Sequence, residues 1–202
     1  MKVERAAPSD IEGLIDVHLS AFAGQTNFTM HLGRGFMRKT YAWLVEGDDR
    51  FTFVAREGER IVGHVAGTYR RPLSDMQRGR LATLAMALLV RPHLLLHSSV
   101  RSPLIGRLLQ KRKNEETYLN CSDYAIIYII AVHPNFHGRG IAGQMASALE
   151  TEARERGIAT LFVPVGEDNV HSLSAFRKAG FSLLPGVLSD GNVILRRDIV
   201  PT

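Results

Sequence analysis

The sequence predicts a mixed α/β (α+β) fold, one sheet flanked by helices, and three observations carry that reading. Ala125 to Val132 is an almost unbroken apolar run, rich in Ile and Val and including Tyr128, with the length and content of a strand buried on both faces. Phe51 to Arg56 and Arg60 to Tyr69 flank Glu57-Gly58-Glu59 and read as a hairpin. Around these strands lie segments whose apolar residues recur at helical spacing, as do Ile141, Met145, Ala148 and Leu149.

In chain order, Val3 to Ala6 is a short first strand. Ser9-x-x-Glu12 then reads as a capping box that opens a helix with Ile11, Leu14, Ile15 and Val17 inward. A second helix spans His31 to Leu44, followed by the hairpin. The central strand, from Tyr124, is stopped by His133 and Pro134, because a proline cannot donate to the ladder. Gly138, Gly140 and Gly143 lead into the next helix, which Gly157 ends as a C-cap. Thr160 to Val165 is a strand, Asn169 to Ala179 a helix, and Phe181 onward with Val193 to Ile199 the closing strands.

At 202 residues with 45% hydrophobic content, the chain reads as one domain, 1–202, able to bury a sizeable core. Its single cysteine, Cys121, excludes a disulfide framework or a cysteine metal site. The opening MKVERAAPSD has no apolar signal region, and no run reaches the roughly 20 apolar residues of a membrane span, so a cytoplasmic location is expected.

Charge is unevenly spread. Arg70 to Lys113 holds ten Lys and Arg against one acid, Asp75, a net +9 in a chain of +5, which leaves the remainder at −4. With its apolar stretches Leu81 to Val90, Leu94 to Leu96 and Leu104 to Leu109, the region 70–120 reads as a basic insertion of two or three amphipathic helices. Three roles stand for it. It is a helical layer with a solvated basic face, a wall that draws an anionic acceptor to a site, or a surface for peripheral membrane contact through 70–113. Nucleic acid is not expected as a partner in spite of the pI of 9.7, since aromatic residues are not interleaved with the basic ones.

The strand, glycine turn and helix from 124 to 143 carry the most chemistry. The first-turn amides of a helix have no intrahelical partner, and the macrodipole adds partial positive charge there. Glycines let a diphosphate approach those amides, and Arg139 adds a formal charge beside them. A Walker-type phosphate loop is excluded, since no Gly-Lys-Ser/Thr ends the turn. Gly138-x-Gly140-x-x-Gly143 matches the dinucleotide fingerprint by letter. However, His133 to His137 separate it from the strand, and no acid stands in Gly157 to Val163.

This stretch resembles the signature of the GNAT superfamily of N-acetyltransferases. In that family a strand ending Ile/Leu-x-Val leads to a Gln/Arg-x-x-Gly-x-Gly/Ala turn that takes the pyrophosphate of acetyl coenzyme A. The matching residues are Ile130-Ala131-Val132 and His137-Gly138-Arg139-Gly140-Ile141-Ala142, with His137 as the one departure. A second segment, Asn169 with Phe176 seven residues on and then Gly180-Phe181, looks like the family's other coenzyme-binding stretch. The resemblance covers 124–181. It implies a mixed, mainly antiparallel sheet whose central strand splays from the next, with pantetheine in the gap on the backbone of Ile130, Ala131 and Val132. The diphosphate is then expected over Gly138 to Gly143, with Asn169 and Phe176 nearby. Acetyl-CoA is the implied co-substrate, no metal is implied, and a homodimer is left open.

The side-chain chemistry departs from the family. Phe176 stands where many relatives have a proton-donating tyrosine, Ile126 where many have a glutamate base, and Pro164 where some have an acid. Tyr128 is the substitute the sequence offers, reaching the cleft from the central strand, unless it is a packed aromatic. An acceptor amine of low pKa, as on an amino sugar, needs little general base. The HLSAF stretch at His18 to Phe22, followed by His31 to Tyr41, looks like the N-terminal part of relatives in surface-polysaccharide pathways. A small, anionic acceptor such as an amino sugar or nucleotide-linked sugar is therefore favoured, the alternative being a catalytically silent acyl-CoA-binding module. His64 reads as a hydrogen-bonded core residue, and His93 with His97 lacks the Glu and third ligand of a zinc site. His171, close to Asn169, either borders the site or caps its helix.

Overall fold

The structure, a computed structural model, describes residues 1–24, 28–70, 121–188 and 192–199. The basic segment from 71 to 120, with its expected helices and the His93/His97 pair, lies outside the described residues. Seven strands form one sheet: β1 (Lys2–Arg5), β2 (Arg50–Glu57), β3 (Arg60–Tyr69), β4 (Tyr124–Val132), β5 (Thr160–Gly166), β6 (Ser182–Leu188) and β7 (Asn192–Asp198). They run in the order β1-β2-β3-β4-β5-β7-β6, and every neighbouring pair is antiparallel except β4 with β5. The predicted mixed, mainly antiparallel sheet is the one observed.

Among the described residues four helices flank it: α1 (Ile11–Ala21), α2 (Phe28–Val45), α3 (Ile141–Glu155) and α4 (Val170–Lys178). Leu14, Ile15 and Val17 of α1 and Met37, Tyr41 and Leu44 of α2 pack with Val54, Ala66 and Ala131 on one face. Ile141, Met145 and Leu149 of α3 pack on the other face with Phe51, Val65, Ile127 and Leu161, joined there by Leu173 and Phe176 of α4.

The helix ends show which local signals prevailed. Ser9 and Glu12 do not form the predicted capping box. Asp10 instead accepts the Ala7 amide at 2.8 Å, while Glu12 takes Arg34 and Arg38. Helix α2 is two pieces joined at Gly33, whose φ of 79° and ψ of 175° lie outside helical space. Its end is closed by Arg50, which donates to the Trp43 and Glu46 carbonyls, both at 2.7 Å, and stacks 3.8 Å over the Trp43 ring. Gly157 ends α3 as predicted: at φ 67° it donates to Arg154 while Ile158 donates to Ala153, the paired bonds of a left-handed helix stop.

Two features of β4 shape the edge and faces it presents. Opposite β3, Ala66 pairs with Ile129 but Gly67 pairs with Ile127, so Tyr128 is an extra residue in the register. Such a bulge reverses which face each later side chain takes. Ala125 and Ile127 therefore belong to the α3 face before it, and Ile130 and Val132 after it. The second feature is the edge toward β5. The two strands pair over three residues only, Tyr124 with Thr160, Ala125 with Leu161 and Ile126 with Phe162. Beyond them β5 stays with β7 as far as Gly166 and β4 stays with β3 as far as Val132, so β4 and β5 part into a fork.

Candidate functional site

The fork exposes backbone of one strand in a definite pattern. His133 donates its amide to Val62 at 2.8 Å, which makes that pair hydrogen-bonded in the antiparallel ladder. Alternation then directs the main-chain groups of Ala131 to His64 and turns those of Ile130 and Val132 toward the side that β5 has left. The Val132 carbonyl accepts from His137 Nε2–H at 3.0 Å. The Val132 amide and both main-chain groups of Ile130 face the fork.

The chain leaves β4 through a 3₁₀ turn, Pro134–Phe136, and enters α3 through Gly138 (φ 77°) and Gly140 (φ 71°), the latter as N-cap. Both angles lie in the left-handed region that glycine adopts without strain. His137, Gly138, Arg139, Gly140, Ala142 and Gly143 are all exposed. Gly143 is unusual for another reason: its backbone is helical, and a Cβ there would meet nothing within 4 Å. A helical glycine is about 1 kcal/mol less favourable than alanine. Nothing among the described residues therefore requires a bare backbone at Gly143, and none of them covers the first-turn amides there.

Arg139 lies at this mouth, 4.8 Å over the Phe136 ring and 3.3 Å from Glu57 across an exposed ion pair. Arg60 approaches the same ring at 5.6 Å and donates to His133 Nε2 at 3.0 Å. The two guanidiniums put positive charge beside the glycine turn.

In the second segment Asn169 caps α4, its Oδ1 accepting the Ser172 amide at 3.1 Å. The cap is thus Asn169 and not the exposed His171. Phe176 is half-buried, edge-on to Phe181 at 5.3 Å between ring centres.

Tyr128 sits where the fork opens. Its side chain packs against both the α1/α2 cluster and the cluster of Tyr124, Ile126, Phe162 and Ile194, and its hydroxyl is 2.9 Å from Thr68 Oγ1. Ile126 is buried in the last rung before the strands part, and Pro164 is half-buried on β5, so both positions are hydrocarbon.

Sequence reasoning missed two arrangements. One is the Thr68–Tyr128 hydroxyl pair. The other is a buried polar string on the α1/α2 face, in which the Tyr41 hydroxyl lies 2.7 Å from His18 Nδ1 and 2.8 Å from His64 Nε2. Burial pushes the His18 imidazole down to about 4, and burial with the neighbouring His18 pushes His64 down to about 3, so both are neutral at pH 7. The expectation that His64 is a hydrogen-bonded core residue holds. Positions 18, 41 and 64 are 23 residues apart each time, a separation that corresponds to no helix or strand period.

A family model described as the acetyltransferase (GNAT) family matches residues 23–181. The chain belongs to the GNAT acetyltransferase family. Solved structures give the same fold. The PaiA N-acetyltransferase of Thermoplasma acidophilum, in complex with coenzyme A, is 11% identical and superposes with a TM-score of 0.61 over 98% of both chains. The ribosomal-protein-S18-alanine N-acetyltransferase of Escherichia coli is 14% identical, with a TM-score of 0.56 over 98% of this chain and 93% of that one. An aminoglycoside 6'-acetyltransferase type Ii is 13% identical, with a TM-score of 0.60 over 100% and 99%. By family, then, this protein is an N-acetyltransferase. Among its described residues no helix is long and apolar enough to cross a membrane, and no three His, Cys, Asp or Glu side chains form a metal-binding group.

Proposed function

We propose that this acetyltransferase moves acetyl directly from acetyl-CoA to the amine of a small acceptor, an amino sugar or nucleotide-linked sugar. The observation that carries the donor site is the open fork ending in a bare, exposed glycine turn. In this reading pantetheine runs along the backbone of Ile130, Ala131 and Val132 and takes the place of the missing β5 rungs. The diphosphate lies over the amides of Ile141, Ala142 and Gly143, where the helix dipole and Arg139 favour an anion and where Gly138 and Gly140 hold the turn back. His137 fixes that turn to the strand end, and Asn169 and Phe176 border the coenzyme from α4.

The chemistry follows from positioning. The neutral amine attacks the thioester carbonyl carbon and a C–N bond forms. The oxyanion that develops faces the Val132 amide, which needs no reorganisation to receive it. Collapse breaks the C–S bond, the phenol of Tyr128 gives its proton to the departing thiolate, and the ammonium proton passes to water, which reprotonates the phenolate. Hydrocarbon at Ile126 and Pro164 removes the strand carboxylates that would deprotonate a strongly basic amine. That supports an acceptor amine of low pKa, as on an amino sugar. The basic stretch 70–113 supplies a field for a phosphorylated one.

Phe176 cannot donate a proton, which leaves that role in this reading to Tyr128. Calorimetry is expected to show acetyl-CoA binding that Gly140→Glu abolishes and Gly140→Asn, tolerant of a left-handed backbone, largely keeps. A coenzyme-release screen over amino sugars, nucleotide sugars, amino acids, polyamines and peptide N-termini then identifies the acceptor. Absence of binding at millimolar coenzyme refutes the donor site, and thiol release with other amines but with no amino sugar or nucleotide sugar refutes the acceptor.

A further inference from the structure

We propose that Glu57 is an internal stand-in for the coenzyme diphosphate: its carboxylate occupies Arg139 in the free protein and is displaced when the diphosphate arrives, so that the β2–β3 hairpin sets how tightly the donor is held. The inference rests on the proposed function, in which Arg139 faces the diphosphate.

Arg139 lies inside the glycine turn, between Gly138 and Gly140. Its guanidinium carbon sits 4.8 Å over the Phe136 ring, and its Nη1 is 3.3 Å from Glu57 Oε1. Among the described residues Glu57 is the acid paired with it. The separation is long beside the about 2.7 to 2.9 Å of a strong charge-assisted bond, and a single nitrogen is engaged. Arg5, by contrast, grips Glu152 through both Nε and Nη2. The two side chains at the turn are also open to water, 55% exposed for Arg139 and 57% for Glu57. Such a pair yields to an anion that offers the guanidinium more oxygens.

Glu57 is kept at this place by the fold rather than by the ion pair. It closes β2, opposite Arg60 in the register of the hairpin. Arg60 donates to His133 Nε2 at 3.0 Å, and Val62 on the same strand accepts the His133 amide at 2.8 Å. These bonds pin the hairpin to the exit of β4, from which the glycine turn departs. A carboxylate is thus fixed beside helix amides that favour an anion. Glu57 and a diphosphate repel each other where they share one guanidinium, so the protein's own anion gives way.

The size of the effect follows from the strength of the pair. A competing closed state lowers apparent affinity in proportion to the fraction of molecules that are open. An exposed ion pair is closed roughly half to four-fifths of the time, so Glu57 weakens coenzyme binding about two- to fivefold.

The test is a double-mutant cycle read by calorimetry with coenzyme A and with dephospho-coenzyme A, which keeps the diphosphate and lacks the ribose phosphate. Both positions are exposed, so substitution there leaves the core intact. Glu57→Gln, of the same shape and uncharged, is expected to bind both ligands about two- to fivefold more tightly than wild type, through slower dissociation. Arg139→Met, which keeps the contact with Phe136, is expected to bind both about tenfold more weakly. In the Arg139→Met background, Glu57→Gln is expected to change Kd by less than about 1.5-fold. An equal gain in both backgrounds shows that Glu57 acts through its field alone and overturns the displacement. So does unchanged or weaker binding in Glu57→Gln, the mark of a carboxylate that props Arg139 in place. A gain confined to coenzyme A assigns Arg139 to the ribose phosphate and overturns it as well. Wild-type affinity in Arg139→Met removes Arg139 from the site, and this inference with it, while the fork stands. Absence of coenzyme binding by the wild type removes the donor site itself.

Discussion

His137 occupies the position where relatives carry Gln or Arg, and its ring is committed to the fold: Nε2–H donates to the Val132 carbonyl across the glycine turn. That bond ties the amides at the start of α3 to the end of β4, so both halves of the proposed donor site keep one geometry. Its loss removes one hydrogen bond, about 1 kcal/mol. Acetyl-CoA binding in His137→Ala is expected to weaken about fivefold, with His137→Gln, still a donor, close to wild type. Calorimetry checks this, and an unchanged Kd in His137→Ala refutes it. The sequence alone reveals the departure at His137 but not where the ring goes, because its partner lies five residues back across a turn set by the positive φ of Gly138.

Among the elements, β4 is the one whose irregularities matter most. Most strands and helices within the described residues are legible from local patterning, because amphipathic periodicity is a property of neighbours in sequence, though the break of α2 at Gly33 is not. The bulge is not. Ala125 to Val132 is apolar on both sides of Tyr128, so a reversal of faces at that residue leaves no mark in hydropathy. The start of α1 departs from its letter pattern for a related reason. Ser9-x-x-Glu12 matches a capping box, but the Asp10 carboxylate reaches the Ala7 amide first and Glu12 finds two arginines on α2. The bulge also makes a sharp demand on its neighbour. Gly67→Ala puts a Cβ into the β4 backbone at 1.9 Å, where no rotamer relieves it. The expected outcome is a loss on the order of 4 kcal/mol or more, read as a collapse of the denaturant midpoint. Gly58→Ala in the hairpin turn, where a Cβ has open space and only the φ of 59° opposes it, is expected to lose about 1 kcal/mol. Equal midpoints for the two variants contradict this account of the bulge.

For the whole molecule, the buried His18–Tyr41–His64 string sets the acid limit of stability. Both imidazoles titrate below their ordinary value in the fold, at about 4 and about 3, because burial disfavours the cation. Unfolded histidines take up protons near pH 6.5, so the unfolded chain binds more protons as pH falls below that value. The string's contribution is complete above pH 6.5 and is lost progressively toward pH 4, with a limiting slope of about 2.7 kcal/mol per pH unit for two groups. Thermal unfolding is expected to show a falling Tm between pH 6.5 and 5, and His18→Phe is expected to flatten the fall. A Tm that is level across that range refutes the assignment. Three residues so far apart in sequence give no local signal, so this arrangement belongs to the tertiary fold alone.

The three-rung joint between β4 and β5 has a mechanical consequence. It makes the sheet two panels on a narrow hinge, β1 to β4 on one side and β5 to β7 on the other. In the proposed donor site, a thioester arm bonded to the edge of one panel and resting against the other acts as a splint. By mass action, donor at a hundred times its dissociation constant adds about 2.7 kcal/mol to the folded state. The panels of this enzyme are then most firmly locked together when its acetyl supply is plentiful.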